Sequence, residues 1–248
     1  MIAMNPWVRI VPRPEARLRL FCFPYSGAGA LAFRTWQSSF PAEIDICPIQ
    51  LPGRENRFRE APFTRMTDLV NALTESLTPY LDLPFALYGH SLGSLVAFEV
   101  ARKLRTWGTR QPEHLLVSGC HAPQLARQTP PIYQLSDADF LAEVERFGGT
   151  SKEVLQNKEL MNLILPTLRA DLAIYDTYAY VPAPVLDYPV AAYGGWQDAR
   201  ATQEDIVAWQ AQTGAKFTLQ MFAGGHFFLQ TAQDSFLSTL GQTLLHHL

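Results

Sequence analysis

LYGHSLGSLVAFEVA, residues 87–101, carries the sharpest local signal in this chain. An apolar run ends, one serine stands between two glycines, and a second apolar run begins at once. Gly89, Ser91 and Gly93 match G-x-S-x-G, a tight strand-to-helix turn that lifts a serine hydroxyl clear of a sheet. The flanking positions are glycine because such a turn leaves no room for side chains beside it. The context fits, since PFALY (84–88) reads as a strand and SLVAFEVARKL (94–104) as an amphipathic helix. The amide of Leu92, at the positive end of that helix, then faces the same spot as the Ser91 hydroxyl.

Outward from this turn, short apolar runs alternate with helical patterns. RLRLFCF (17–23), IDICPIQ (44–50), PFALYG (84–89), HLLVSG (114–119), PVAAYG (189–194) and KFTLQMF (216–222) read as strands, and WVRIV (7–11) is a candidate edge strand. Helical patterns occupy 66–81, 93–107, 203–213 and 234–248. Strands separated by helices of this length predict βαβ units, a mainly parallel sheet and helices on both faces. The central strands are apolar throughout, as a sheet covered on both sides requires. The rhythm breaks between Gly119 and Pro189, which hold helical pieces at 137–147 and 159–178 but no strand. A helical insertion there, about 124–180, is expected to form a lid over a site, within one domain spanning 1–248.

A serine becomes a nucleophile only when a base takes its proton and an acid orients that base. In α/β-hydrolase order, the acid and then the histidine follow the serine. Of the six histidines, His226 follows a strand and a Gly-Gly turn in MFAGGHFFLQ, which puts it at the carboxyl edge of the sheet. His246 and His247 are terminal, His114 starts a strand at the opposite edge, and His90 reads as support for the turn. His121, after a strand, is the one serious rival. Asp198, after the strand and Gly-Gly of AAYGGWQDAR, is the expected acid. Asp171, Asp176 and Asp205 lie in helical patterns and read as solvated or capping groups. The second oxyanion donor is expected from FPYSGAGA (23–30), as the amide of Tyr25 or Ser26. That loop lacks G-x-G-x-x-G and G-K-[ST], which argues against phosphate binding.

Composition narrows the field further. The formal charge is −3, so no basic field favours nucleic acid or an anionic membrane. Cys22, Cys47 and Cys120 are too few and too scattered for a disulfide framework or a metal site. No run reaches transmembrane length and no secretory leader is legible, so a cytoplasmic protein is expected. In LPGREN (51–56) and just beyond it, Arg54, Glu55 and Arg57 could hold a substrate carboxylate or an acidic partner. A loop salt bridge shaping the rim is the preferred reading. Phe140, Phe147, Tyr175 and Tyr178 read first as core and second as acyl-pocket lining.

FPYSGAGA, LPGREN, GHSLGS (89–94), LPTLRADL (165–172), the aspartate after YGG and GGHFF (224–228) occur in that order along nearly the whole chain. Together they resemble the type II thioesterases, the stand-alone editing hydrolases of polyketide and nonribosomal peptide assembly. LPGRE and GGHFF are far more specific than G-x-S-x-G. The resemblance implies an α/β-hydrolase fold with a helical lid. It also implies hydrolysis of acyl thioesters on the phosphopantetheine arm of acyl or peptidyl carrier proteins. Ser91 would be the nucleophile, Asp198 the acid and His226 the base, with no metal or cofactor and a monomeric chain. Two positions depart from the pattern. The family's G-D-x-D-P reads GWQDA here, and His121 stands where arginine is common. Two other functions would use the same residues: a general serine esterase or lipase on small esters, and a non-catalytic binding protein on a hydrolase fold. The complete set of three residues argues against the latter.

Overall fold

A computed structural model of the chain describes residues 5–10, 13–126, 130–149 and 152–245. Six strands form one sheet: β1 (Leu18–Phe23), β2 (Ile44–Pro48), β3 (Phe85–His90), β4 (His114–Ser118), β5 (Val190–Gly195) and β6 (Phe217–Phe222). Their order is β2-β1-β3-β4-β5-β6, and every neighbouring pair is parallel. The direction of winding reverses between β1 and β3, which opens a crevice beyond their carboxyl ends. The loops after these two strands carry Tyr25, Ser26 and Ser91, so the topology itself brings them together.

The helices are α1 (Met66–Leu77), α2 (Leu92–Thr106), α3 (Asp137–Phe147), α4 (Lys152–Gln156), α5 (Lys158–Thr177), α6 (Gln203–Val207), α7 (Phe228–Thr231) and α8 (Gln233–Leu245). Strand alternation divides the core in two. Phe21, Phe23, Leu87 and Val117 point into the cluster containing Leu73 of α1 and Leu95 of α2. Leu20, Cys22, Tyr88 and Leu116 point the other way, onto Trp36 and onto Phe236 and Leu240 of α8. None of these described helices is long and apolar enough to cross a membrane.

A third, smaller cluster lies between β4 and β5 in sequence. Phe140 and Val144 of α3 pack on Leu168 and Leu172 of α5. Local signals fix both helices: Ser136 Oγ accepts the Asp139 N–H at 3.2 Å, Gly148 ends α3 with φ +72, and Asn157 Oδ1 accepts the Leu160 N–H at 3.0 Å. The expected edge strand at 7–11 is only an isolated antiparallel bridge between Val8 and Ile49, and Val11 lies outside the described residues. The expected helix at 203–213 is α6 followed by a 3-10 turn at Ala208–Gln212. His246 and His247 lie outside the described residues.

Candidate active site

The elbow is built as its glycines require. A Cβ on Gly89 would sit 2.1 Å from the Gly93 carbonyl oxygen, and one on Gly93 would sit 2.2 Å from that of Phe23. Ser91 takes φ +53 and ψ −121, a conformation that L side chains rarely adopt and that is held in place by its surroundings. Its N–H donates to Ser118 O at 2.8 Å. Beneath it, Ser94 Oγ donates to Gly89 O at 2.8 Å and accepts the Ser118 N–H at 3.1 Å. The end of β4 therefore clamps both the strained residue and the helix that follows it.

Two glycine pairs bring Asp198 to His226. A Cβ on Gly195 would lie 2.4 Å from Gly225 O and 2.5 Å from Gly224 O, so the turns after β5 and β6 touch backbone to backbone. Trp196 N–H donates to Phe222 O and Gln197 N–H to Gly224 O, both at 2.9 Å. Across this seam His226 Nδ1 and Asp198 Oδ2 stand 2.8 Å apart. Their side chains are 8% and 0% exposed, dry enough to make the contact directional and strong. Asp198 Oδ1 accepts the N–H groups of Arg200 (2.9 Å) and Ala201 (3.3 Å), which fixes the rotation of the carboxylate.

Ser91, His226, Tyr25 and Ser26 line one small cavity of about 50 Å³. Val144, Phe147, Leu168, Leu172 and Tyr175 from the α3–α5 segment form its apolar wall, and Gly149, Arg200 and Phe227 complete it. Asp198 stands behind His226. A larger groove of about 850 Å³ runs between α1, α2 and the chain after α5, but it contains none of these polar groups. Of the aromatic residues singled out in the sequence, Phe147 and Tyr175 reach the cavity. Phe140 is core, and the Tyr178 hydroxyl donates to Glu99 at 2.6 Å.

His90 fills the space under His226, with ring centroids 5.0 Å apart, and its Nδ1 lies 2.8 Å from Ser118 Oγ. Burial, then the neighbouring His226, pushes its pKa well below the ordinary imidazole value. His90 is thus a neutral filler next to the imidazole that would gain a proton. His121 does not line the cavity; its Nδ1 stands 3.0 Å from Ala122 O and its ring packs on Tyr175. The Gly27 N–H donates to Asp171 and so is occupied, while Leu92 opens α2 beside Ser91.

Three residues have roles that sequence reasoning did not give them. Asp171 is neither solvated nor a cap; it is buried and paired with Arg54. Asp176 accepts the N–H groups of Ile132 and Tyr133 at 2.6 and 3.1 Å. Arg200 reaches the cavity with its guanidinium 3.5 Å from the centre of the Phe147 ring. Arg57 follows the preferred salt-bridge reading, pairing with Glu60 and lying over the Trp7 ring, whereas Arg54 makes a buried pair with Asp171 of α5 across the fold. Asp205 does cap, in a reciprocal box with Thr202. Among the described residues no group of three or more His, Cys, Asp or Glu side chains is placed to hold a metal ion.

A thioesterase domain family model matches residues 18–244, from β1 to the last turn of α8. The gramicidin S biosynthesis protein GrsT of Aneurinibacillus migulanus is 42% identical over 227 residues, 91% of this chain and 89% of that protein. The structure of RedJ, a thioesterase from the prodiginine biosynthetic pathway in Streptomyces coelicolor, superposes with a TM-score of 0.87 at 38% identity, covering 94% of this chain and 96% of that one. The type II thioesterase BorB from the borrelidin biosynthetic cluster gives 0.88 at 34% identity, covering 97% and 98%. With a parallel sheet, a serine elbow and an aspartate–histidine pair over one crevice, and with these likenesses along its length, the chain belongs to the thioesterase domain family.

Proposed function

We propose that this enzyme hydrolyses acyl thioesters on the phosphopantetheine arm of acyl or peptidyl carrier proteins, clearing stalled or aberrant acyl groups. The observation that carries the reading is the Asp198–His226 contact at 2.8 Å, with the imidazole on the wall of the cavity that holds the strained Ser91. The thioester enters beneath a lid formed by the insertion at about 124–180, within a single domain. His226 Nε2 takes the hydroxyl proton as Ser91 Oγ attacks the carbonyl carbon. Asp198 holds the Nδ1–H and stabilises the imidazolium. The oxyanion is held by the N–H of Leu92 and that of Tyr25 or Ser26, each donor worth about 10²–10³ in rate. The carbon–sulfur bond breaks, and the proton on His226 goes to the departing thiolate. Water, deprotonated by His226, then attacks the acyl carbon; the bond to Ser91 Oγ breaks, Ser91 takes the proton back from His226 and a carboxylic acid leaves. These steps need only this chain's residues and water.

The test uses a carrier protein bearing a short acyl group on its phosphopantetheine. Wild type releases the acyl group, and Ser91→Ala does so no faster than the uncatalysed reaction. Equal release by both would refute the reading. A strong preference for free oxygen esters over carrier-bound thioesters would move the enzyme to the general esterases.

A further inference from the structure

LPGREN and LPTLRADL have no part in the proton relay, yet the fold joins them. Arg54 Nη1 and Nη2 donate to Asp171 Oδ2 (2.6 Å) and Oδ1 (2.8 Å), with side chains 6% and 2% exposed. Arg54 Nη1 also donates to Ala28 O at 3.0 Å, and Asp171 Oδ2 accepts the Gly27 N–H at 2.7 Å. A buried ion pair is weak evidence for stability, because desolvation offsets the attraction. What this pair grips is the loop expected to supply the second oxyanion donor.

We infer that Arg54 and Asp171 are positioning residues, which set the oxyanion-binding loop and couple it to the helix that walls the acyl cavity. This rests on the reading of Ser91 as nucleophile. Ala28 N–H donates to Tyr25 O at 3.0 Å, closing a four-residue turn, and Gly27 holds its third position with φ +79. That is the arrangement of a type II turn, in which the N–H of the third residue points away from the ring. Asp171 takes that N–H from outside, while Arg54 holds the next carbonyl. A peptide plane joins one residue's C=O to the next residue's N–H, so the bond at Gly27 N–H holds the Ser26–Gly27 unit and the bond at Tyr25 O holds the Tyr25–Ser26 unit that carries the Ser26 N–H. An oxyanion donor works only when aimed at the position the oxygen will occupy, about 2.7–3.1 Å away.

The grip comes from α5. Leu168, one turn before Asp171, comes within 3.0 Å of where a Gly27 Cβ would stand. Leu172 and Tyr175 of the same helix line the cavity with Ser91. One helix therefore touches both the acyl group and the loop that stabilises its oxyanion.

The experiment measures steady-state hydrolysis of a short-acyl carrier thioester by the full chain. It also measures the affinity of a trifluoromethyl ketone analogue that forms a tetrahedral adduct. Asp171→Asn keeps the size and one acceptor oxygen. Arg54→Leu/Asp171→Leu removes both charges without stranding either. In Asp171→Asn, kcat falls about 3- to 10-fold with KM within about twofold; in the double variant it falls about 10- to 100-fold, below the limit for losing a donor outright. Analogue affinity falls in proportion to kcat. A purely structural role would lower the melting temperature and leave kcat per folded molecule and analogue affinity alone. Asp171→Asn with wild-type kcat overturns the inference, whether or not the double variant folds. Ser91→Ala is run alongside: turnover there sinks the nucleophile reading, whereas an inactive Ser91→Ala beside an unimpaired Asp171→Asn sinks the positioning role alone.

Discussion

Gly93 faces backbone, not flexible side chains: the Cβ it lacks would fall 2.2 Å from Phe23 O and 2.8 Å from Pro24 O. Those atoms begin the loop that bears Tyr25 and Ser26, so the absence of a side chain at Gly93 lets the two halves of the expected oxyanion site approach each other. Gly93→Ala should cost about 1–3 kcal/mol of stability, as overpacking does. Because the displaced atoms belong to that loop, kcat should fall by more than tenfold, toward the ~10²–10³ of a lost donor. Urea unfolding and acyl release, measured on the same preparation, check both; a stable variant with full kcat refutes the argument. His90 supports a pH prediction. Its folded-state pKa is depressed by burial, so the unfolded chain binds its proton first as pH falls. The associated stability is complete above about 6.5 and drains away below it, toward the folded value. In His90→Gln the overall stability should be lower, because the contact to Ser118 changes, but its decline below pH 6.5 should be shallower. Equal slopes of the urea midpoint against pH would show that this imidazole does not titrate on unfolding.

The α3–α5 segment is where structure adds most to the site. Phe147 closes α3 against the cavity, capped by the Arg200 guanidinium at 3.5 Å, and the ring of Phe227 occupies the place a Gly149 Cβ would need, within 2.3 Å. Two contacts thus tie this segment to the loops carrying Asp198 and His226, and they leave about 50 Å³ beside Ser91. Removing the ring in Phe147→Ala enlarges that space and takes away the face on which the Arg200 guanidinium stacks. The ratio of kcat/KM for a hexanoyl over an acetyl carrier thioester should rise about tenfold, since pocket contacts of this kind discriminate by about 1–3 kcal/mol. An unchanged ratio would mean that this wall does not measure the acyl chain. Of this segment's helices, α3 and α5 were legible and the five-residue α4 was not: α3 runs from the Ser136 cap to the left-handed Gly148, and the residues between show a helical period. The 203–213 segment was legible as helical but not in its change from α to 3-10 at Ala208, where Trp209 Nε1 donates across the fold to Cys120 O at 2.9 Å. The four-residue α7 is too short for any period to show.

At the scale of the molecule, the sheet was readable because its interior strands are apolar on both faces, and the placing of Ser91, Asp198 and His226 at one edge because each sits in the turn after a strand. The Arg54–Asp171 tie was not, since its partners lie 117 positions apart and a helical pattern says nothing of what faces a carboxylate across the fold. The two-sided core leads to a last prediction. Cys22 lies in the cluster over α8, and Cys47 and Cys120 in the one over α1 and α2; all three are free and buried. Burial raises each thiol's pKa above its ordinary value, which suppresses the reactive thiolate. The native chain should therefore be inert to a thiol reagent such as dithionitrobenzoate at pH 8, and should titrate three thiols once unfolded. With thiols on both faces, the order of reaction also reads how the sheet comes apart. If both helix layers leave together, Cys22 and Cys47 are modified at one rate, equal to global opening. If the layer carrying α8 leaves first, Cys22 reacts ahead of Cys47 in urea well below the unfolding midpoint. A thiol that reacts in the absence of denaturant would show that one of these clusters opens in the native state.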